Sequence, residues 1–233
     1  MNAISHVVVA IPAHNEEDLL ANCLDHVACA VAAAQAIRTG LQIEIVIALD
    51  HCTDRSADVA RSRRVNTIAI HRSGVGAARD AAIRTGLRLL GDPPPHHSWL
   101  ACTDADTLVP STWLVRQFMW ADRGNDLVLG TVYPDELADP ITRRIWHERH
   151  HLAEGHGHVH GANLGIRADQ WWGVGGFGAR TRDEDIALTA AIRARTPRWV
   201  STDSTRVLTS GRTNGRAVGG FADYLKNISG QAQ

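Results

Sequence analysis

Trp99-Leu100-Ala101-Cys102-Thr103-Asp104-Ala105-Asp106 decides how this chain is read. Five residues of strand length, apolar enough to be covered on both faces, run straight into two carboxylates one residue apart. A strand end splays such a pair around one point, and oxygen ligands in that arrangement suit a hard divalent cation. A capping turn or a solvated acidic loop is the competing reading of Asp104-Ala105-Asp106. The neighbouring sequence decides between them.

Working outward, apolar runs of the same kind occur at His6–Pro12, Ile43–Leu49 and Thr67–His71, besides Ser98–Thr103. Between them, Glu16–Ala36, Ser56–Arg63 and Gly76–Leu90 carry helical spacing. Alternating strands and helices predict a parallel sheet with its chemistry on the loops at the carboxyl ends of the strands. Asn15 before Glu16-Glu17-Asp18 reads as a helix start, and Asp54 as a cap for the helix near Ser56. Asp92-Pro93-Pro94-Pro95 reads as a rigid connector. The second half is less regular: a strand at Asp126–Tyr133, a helix at Asp139–His151, an extended stretch at His156–Ile166, a helix at Asp183–Arg195, a short strand at Arg206–Thr209 and a short helix at Phe221–Asn227. Gly211–Gly220 reads as a flexible loop, a candidate lid.

Composition sets the outer bounds. The 233 residues suffice for one large α/β domain, and 44% hydrophobic with 21% charged is ordinary for a globular protein. A formal net charge of -1 offers no basic excess for nucleic acid. Lys226 is the sole lysine. Cys23, Cys29, Cys52 and Cys102 form no CxxC pair and read as free thiols in a reducing compartment. MNAISHVVVAIP lacks the basic region and apolar length of a signal peptide, and no stretch is read as a membrane span, so a cytoplasmic location is expected.

Several segments, in order, resemble the family 2 glycosyltransferases of the GT-A fold. Pro12-Ala13-His14-Asn15-Glu16 is similar to the turn closing that family's first strand. Asp50-His51-Cys52-Thr53-Asp54 resembles its acidic second turn, and Gly74-Val75-Gly76-Ala77-Ala78-Arg79-Asp80 the opening of its third helix. Thr103–Thr107 matches the D-x-D site, followed by Val109-Pro110 and Trp113-Leu114. Gly161-Ala162-Asn163-Leu164-Gly165 and Gly175-Gly176-Phe177 match the acceptor side, and Glu184-Asp185 the E-D motif. The likeness covers roughly residues 6–210 and implies an α/β, Rossmann-like three-layer sandwich with a mostly parallel central sheet and a smaller acceptor-side region. It also implies one domain over 1–233: a nucleotide-binding half (1–110), an acceptor-binding half (111–210), and a flexible C-terminal loop and helix (211–233).

The resemblance assigns roles residue by residue. Pro12, Ala13, Asn15, Glu16, Asp50, Gly76, Arg79, Asp104 and Arg212 would bind the donor nucleotide. Asp106, with Asp104 and His160, would hold Mg²⁺ or Mn²⁺. Asp185, with Glu184 as the substitute, would be the general base of a single displacement with inversion. His160, Gly161, Ala162, Asn163 and Trp172 would meet the acceptor. The donor implied is a uridine or guanosine diphosphate sugar. The acceptor implied is a small molecule or glycolipid precursor, and a homodimer is left open. The family often has an acidic residue where Leu49 stands, so the base stays unread. For Asp183-Glu184-Asp185, plain helix-dipole complementation is the bland reading. Three adjacent carboxylates also repel and raise a pKa toward a useful base value.

Six histidines lie between His147 and His160, and His156, His158 and His160 alternate onto one face of an extended chain. A hydrogen-bonded or solvated set competes there with a transition-metal site. Trp171-Trp172 divides between a sugar platform and core packing. Ser210, Arg212 and Arg216 sit where an arginine folds over a diphosphate. A sugar-phosphate nucleotidyltransferase would need a glycine-rich loop after the first strand and a catalytic lysine. An NAD-linked oxidoreductase would need G-x-G-x-x-G there. Neither loop is present. A non-catalytic nucleotide-sugar-binding protein on the same fold, and a metal-dependent hydrolase built on the histidines, complete the alternatives.

Overall fold

The computed structural model describes residues 3–71, 74–135, 137, 140–178, 183–213, 215 and 221–230. Its strands are β1 (His6–Ala13), β2 (Gln42–Asp50), β3 (Asn66–Ile70), β4 (Ser98–Cys102), β5 (Thr107–Leu108), β6 (Leu127–Pro134), β7 (Leu164–Arg167) and β8 (Trp199–Thr209). Its helices are α1 (Leu20–Ile37), α2 (Ser56–Ser62), α3 (Gly74–Leu89), α4 (Trp113–Asp122), α5 (Pro140–Arg149), α6 (Ala168–Val174), α7 (Glu184–Arg195) and α8 (Phe221–Gly230). All strands join one sheet in the order β3-β2-β1-β4-β7-β6-β8-β5. The pairs β1–β2, β1–β4, β2–β3 and β6–β8 are parallel, while β4–β7, β6–β7 and β5–β8 are antiparallel.

Strand alternation builds the layers. Val7, Val9 and Ile11 of β1 join a core with Leu20, Leu24 and Val27 of α1 and Trp113 and Phe118 of α4. Val8 and Ala10 point the other way, into a core with Ala78 and Ile83 of α3, Trp171 of α6, and Leu188 and Ile192 of α7. Helices therefore cover both faces, which is the three-layer α/β/α sandwich read from the sequence. A third, smaller core of Leu137, Trp146 and Leu225 ties α5 to α8 beside the main sandwich.

Several sequence readings need correcting. α1 starts at Leu20, four residues after Glu16, because Glu16–Leu19 closes as a separate turn with its carbonyl accepting from Leu19 and Leu20. Asn15 is consequently no helix cap; it lies at φ 54° within the preceding turn. Asp54 accepts from the Ser56 N–H at 3.0 Å, but the residue at the cap position of α2 is Arg55, not Asp54. The extended reading of His156–Ile166 gives way to a 3-10 turn at Gly161–Asn163 and a strand confined to Leu164–Arg167. The short strand at Arg206–Thr209 is the end of an eleven-residue β8. Most of the candidate lid lies outside the described residues, Arg216 included. Leu20–Ile37, with mean hydropathy 1.4, is long and apolar enough by length and composition alone to cross a membrane, a test that the core helix of a globular domain also passes. Here it lies along the sheet with Leu20, Cys23, Leu24, Val27, Ala30 and Ala34 buried. The four cysteines are free thiols, as read.

Candidate functional site

The carboxyl ends of β1, β2 and β4 lie at one edge of the sheet, because the parallel register sets Ala10 beside Cys102 and Ala13 beside Leu49. Residues just beyond those ends open a cleft of about 800 Å³. Pro12, Ala13, His14 and Glu16 follow β1, Asp50 and His51 close β2, and Asp104 and Asp106 follow β4. The far wall comes from His160, Gly161, Ala162 and the start of α7, Asp183, Glu184 and Asp185. The described lining holds seven carboxylates against two arginines, and both arginines are already paired.

Arg79 is the first of them. It projects from α3 with a guanidinium 3% exposed, donates to Asp104 Oδ1 and Glu184 Oε1 at 2.6 Å each, and lies over the Phe177 ring. Burial alone would lower its pKa, but the charges of Asp104 and Glu184 outweigh burial and raise it. The guanidinium fits because residue 161 has no side chain: a Cβ there would stand 2.4 Å from it. One buried cation thus fixes the spacing between the acidic pair and the acidic helix start. That replaces the expected direct approach of Arg79 to base or diphosphate. Glu184 is consumed by this pair and is set aside as the substitute base; burial nonetheless holds its pKa above the ordinary value.

Arg212 is the second. It donates to both oxygens of Glu16, at 2.9 and 2.5 Å, and forms an ion pair with Asp106 Oδ2 at 2.9 Å. Its loop is tied to the acidic pair. The two-residue β5 pairs with Leu208 and Thr209, and the Ser210 N–H donates to the Asp106 carbonyl at 3.1 Å. Burial first, and the charge of Asp104 second, push the Asp106 carboxyl up to about 6. A carboxylate crowded by like charge in a shielded place is stabilised by a hard cation, so Asp104 and Asp106 fit a Mg²⁺- or Mn²⁺-type ligand set. His160 does not extend it: no group of three histidine, cysteine or acidic side chains among the described residues is arranged to hold a metal.

Asp185 faces the cleft from the first turn of α7. Its Oδ2 accepts from the Gly161 N–H at 2.7 Å, its Oδ1 from the Ile186 N–H at 2.8 Å. No ion pair to it occurs among the described residues. The carboxylate is therefore oriented by backbone N–H groups, one of them from the Gly161 turn.

The remaining sequence candidates divide. Pro12, Ala13, Asp50, Gly161 and Ala162 line the cleft. Asn15 does not; its Oδ1 accepts from the Thr53 N–H at 2.7 Å and joins the β1 and β2 turns. Gly76 lies beneath Glu184, where a Cβ would come within 2.8 Å of its Cγ. Asn163 is 1% exposed and points into the sheet. Its Nδ2 donates to the Thr131 and Thr205 carbonyls at 2.8 Å, and its Oδ1 accepts from Trp113 Nε1 at 2.9 Å. It braces the irregularity between Gly130 and Val132 and has no amide left for an acceptor. Trp172 is 47% exposed and lies under Arg84, away from the cleft.

Some lining residues had no assigned role in the sequence reading or only a place in the histidine cluster. His14 donates from Nδ1 to the Asp50 carbonyl at 2.6 Å, which locks the β1 and β2 turns together. Its place in the P-A-H-N-E turn was the available signal. His150, Phe221 and Tyr224 also line the cleft, and only the i, i+3 spacing of the two aromatics on α8 hinted at a shared face.

Comparison with known proteins agrees with this geometry. The model of the family described as Glycosyl transferase family 2 matches residues 8–177. No curated protein matches the sequence. Among solved structures, the chain is similar to S. aureus TarS 1-349 in complex with UDP-GlcNAc, at TM-score 0.62 and 14% identity, over 94% of this chain and 62% of that one. It is similar to the mannosyltransferase PcManGT from Pyrobaculum calidifontis in complex with GDP-Man and Mn²⁺, at TM-score 0.65 and 17% identity, over 92% and 59%. A third is M. tuberculosis glucosyl-3-phosphoglycerate synthase, at TM-score 0.59 and 16% identity, over 97% and 77%. The chain spans about three fifths of the first two, and at these identities the likeness concerns the fold.

Proposed function

Because the chain belongs to glycosyl transferase family 2, we propose that it moves a sugar from a nucleoside-diphosphate donor to an acceptor hydroxyl, by single displacement with inversion. The observation that carries this reading is one cleft with two chemically distinct ends. The crowded acidic group Glu16, Asp104 and Asp106, capped by Arg212, lies at one end, and Asp185, with no ion pair among the described residues, at the other. Buried Arg79 holds the two at a set separation.

The donor's nucleoside lies along Pro12, Ala13 and Asp50, within the half we assign to residues 1–110. Asp106 and Asp104 would hold Mg²⁺ or Mn²⁺, which would supply charge neutralisation to the diphosphate. The seven carboxylates and two paired arginines of the described lining oppose a diphosphate, and a divalent cation would offset that charge. Arg212 is placed to pass from Glu16 to the diphosphate oxygens. Residues 111–210 supply the acceptor end. Asp185 takes the proton of the acceptor hydroxyl as its oxygen bonds to the anomeric carbon. The bond from that carbon to the diphosphate oxygen breaks, and the nucleoside diphosphate leaves with the electron pair. Attack from the face opposite the leaving group inverts the centre.

The test is Asp185→Asn. Nucleoside diphosphate release from UDP- and GDP-sugars, supplied with a mixed acceptor pool from cell extract, falls at least about a hundredfold, the range of general-base contributions. Nucleotide binding stays at the parent level. Full transfer by the variant refutes the base; nucleotide binding by the parent without transfer to any pool member supports a non-catalytic binding protein instead.

A further inference from the structure

Beyond Asp185 the cleft changes character. His160 is followed by Gly161, whose N–H holds the Asp185 carboxylate, so the two walls meet at the proposed base. From there the lining is made of rings and short apolar side chains: Val132, His150, Val159, His160, Phe221 and Tyr224. They come from β6, the end of α5, the 156–160 segment and α8, and are mutually ordered. His150 stacks on the buried Trp146 at 4.6 Å with 5° between planes, and on its other side meets His158 at 5.0 Å. His158 stacks on His160 at 5.9 Å. Phe221 stands edge-on to His160 at 6.4 Å, and Tyr224 edge-on to His150 at 5.4 Å. His150 is further fixed by donating from Nδ1 to the Trp146 carbonyl at 2.9 Å.

We propose that this ring-lined end of the cleft is the acceptor subsite, and that it takes an uncharged pyranose ring, a hexoside, presenting one hydroxyl to Asp185. The inference rests on the sugar-transfer reading above and names its acceptor class. Phe221 and Tyr224, held edge-on to His160 and His150, offer ring faces at little entropic cost to the C–H faces of a sugar. Burial lowers the pKa of His150 and of His158, and holds His160 near 3, so these imidazoles are neutral at neutral pH. They therefore offer no cation to an acidic acceptor. The carboxylates that dominate the described lining oppose one.

The experiment follows the histidine ring resonances of the whole chain, saturated with Mg²⁺ and whichever of UDP or GDP stabilises it. Methyl glucopyranoside, galactopyranoside and mannopyranoside are titrated separately, beside benzyl alcohol and glucose 6-phosphate. At least one methyl hexoside shifts the ring signals of His150 and His160 saturably. Glucose 6-phosphate binds at least tenfold more weakly than that hexoside. Tyr224→Ala weakens hexoside binding at least tenfold, and Tyr224→Phe, which keeps the ring, restores it to within threefold. Tighter binding of glucose 6-phosphate overturns the uncharged class, and binding of benzyl alcohol without any hexoside overturns the pyranose. No shift from any hexoside, with nucleotide binding intact, overturns the subsite alone. Absence of nucleotide binding itself overturns the sugar-transfer reading beneath it.

Discussion

Arg79→Leu removes the one cation shared by the two ends of the cleft. In the parent, Glu184 is 7% exposed at its side chain and its charge is met by Arg79 at 2.6 Å. Asp104, on the other arm, is 31% exposed and recovers water more readily. Removing one member of a buried pair leaves an uncompensated charge and costs about 3–5 kcal/mol. For a chain of this size each kcal/mol moves Tm by about 2–4 °C, so the expected fall is about 6–20 °C by circular dichroism. Neutralising the orphaned partner as well should relieve part of the penalty. Arg79→Leu/Glu184→Gln is expected to be at least about 1 kcal/mol more stable than the sum of the single changes predicts, because contacting residues couple. The pH dependence has a definite sign. Burial holds the Glu184 carboxyl above its ordinary value while Arg79 pulls it down. Without Arg79 it rises further. A carboxyl raised in the folded state stabilises below its unfolded pKa and loses that contribution as pH rises through the folded one. The deficit is therefore smaller at pH 5 than at pH 8. A loss under about 1 kcal/mol, strict additivity in the double variant, or a deficit that grows toward acid would refute Arg79 as the buried link.

Two further perturbations separate scaffold from chemistry. Gly130→Ala places a Cβ 2.1 Å from Asn163 Nδ2, whose side chain is held by three hydrogen bonds. Overpacking of this kind costs about 1–3 kcal/mol, and an unchanged Tm would show that Asn163 does not brace β6 against β8. Arg212→Gln should move two affinities in opposite directions. It removes charge-assisted bonds worth about 1.5–3 kcal/mol, so nucleoside diphosphate binding weakens about tenfold to a hundredfold by calorimetry. Mn²⁺ alone binds more tightly by electron paramagnetic resonance, because Asp106 loses its competing partner. Parallel changes in both would contradict the placement of Arg212 on the acidic pair.

β1 and β4 were legible because each is buried on both faces and so is written as an unbroken apolar run. Expected His6–Pro12 is observed as His6–Ala13, and expected Ser98–Thr103 as Ser98–Cys102. β8 was hard to read: Ser201-Thr202-Asp203-Ser204-Thr205 alternates nothing apolar, and its place depends on pairing with β6. The two-residue β5 carries no local signal and is defined by its partners in β8. Asn15 and Asn163 look like ligand residues in a motif, yet both spend their amides joining distant backbone. Sequence shows that an asparagine is present and conceals which way it faces. Phe221 and Tyr224 gain their meaning from α8 packing on α5, some seventy residues earlier in the chain. Asp104, Asp106 and Asp185 could be picked out because they stand in segments that resemble the D-x-D and E-D motifs of the family. That Arg79 and Arg212 engage those groups needed coordinates.

The central claim is that Asp104 and Asp106 bind a divalent cation together with a nucleoside diphosphate. Melting temperature measured with Mn²⁺, with UDP or GDP, and with both together tests it most directly. At least one nucleotide should raise Tm with Mn²⁺ by more than the two separate shifts combined, and Asp106→Asn should abolish that excess. Strictly additive shifts for both nucleotides, or an excess that persists in Asp106→Asn, would contradict the account.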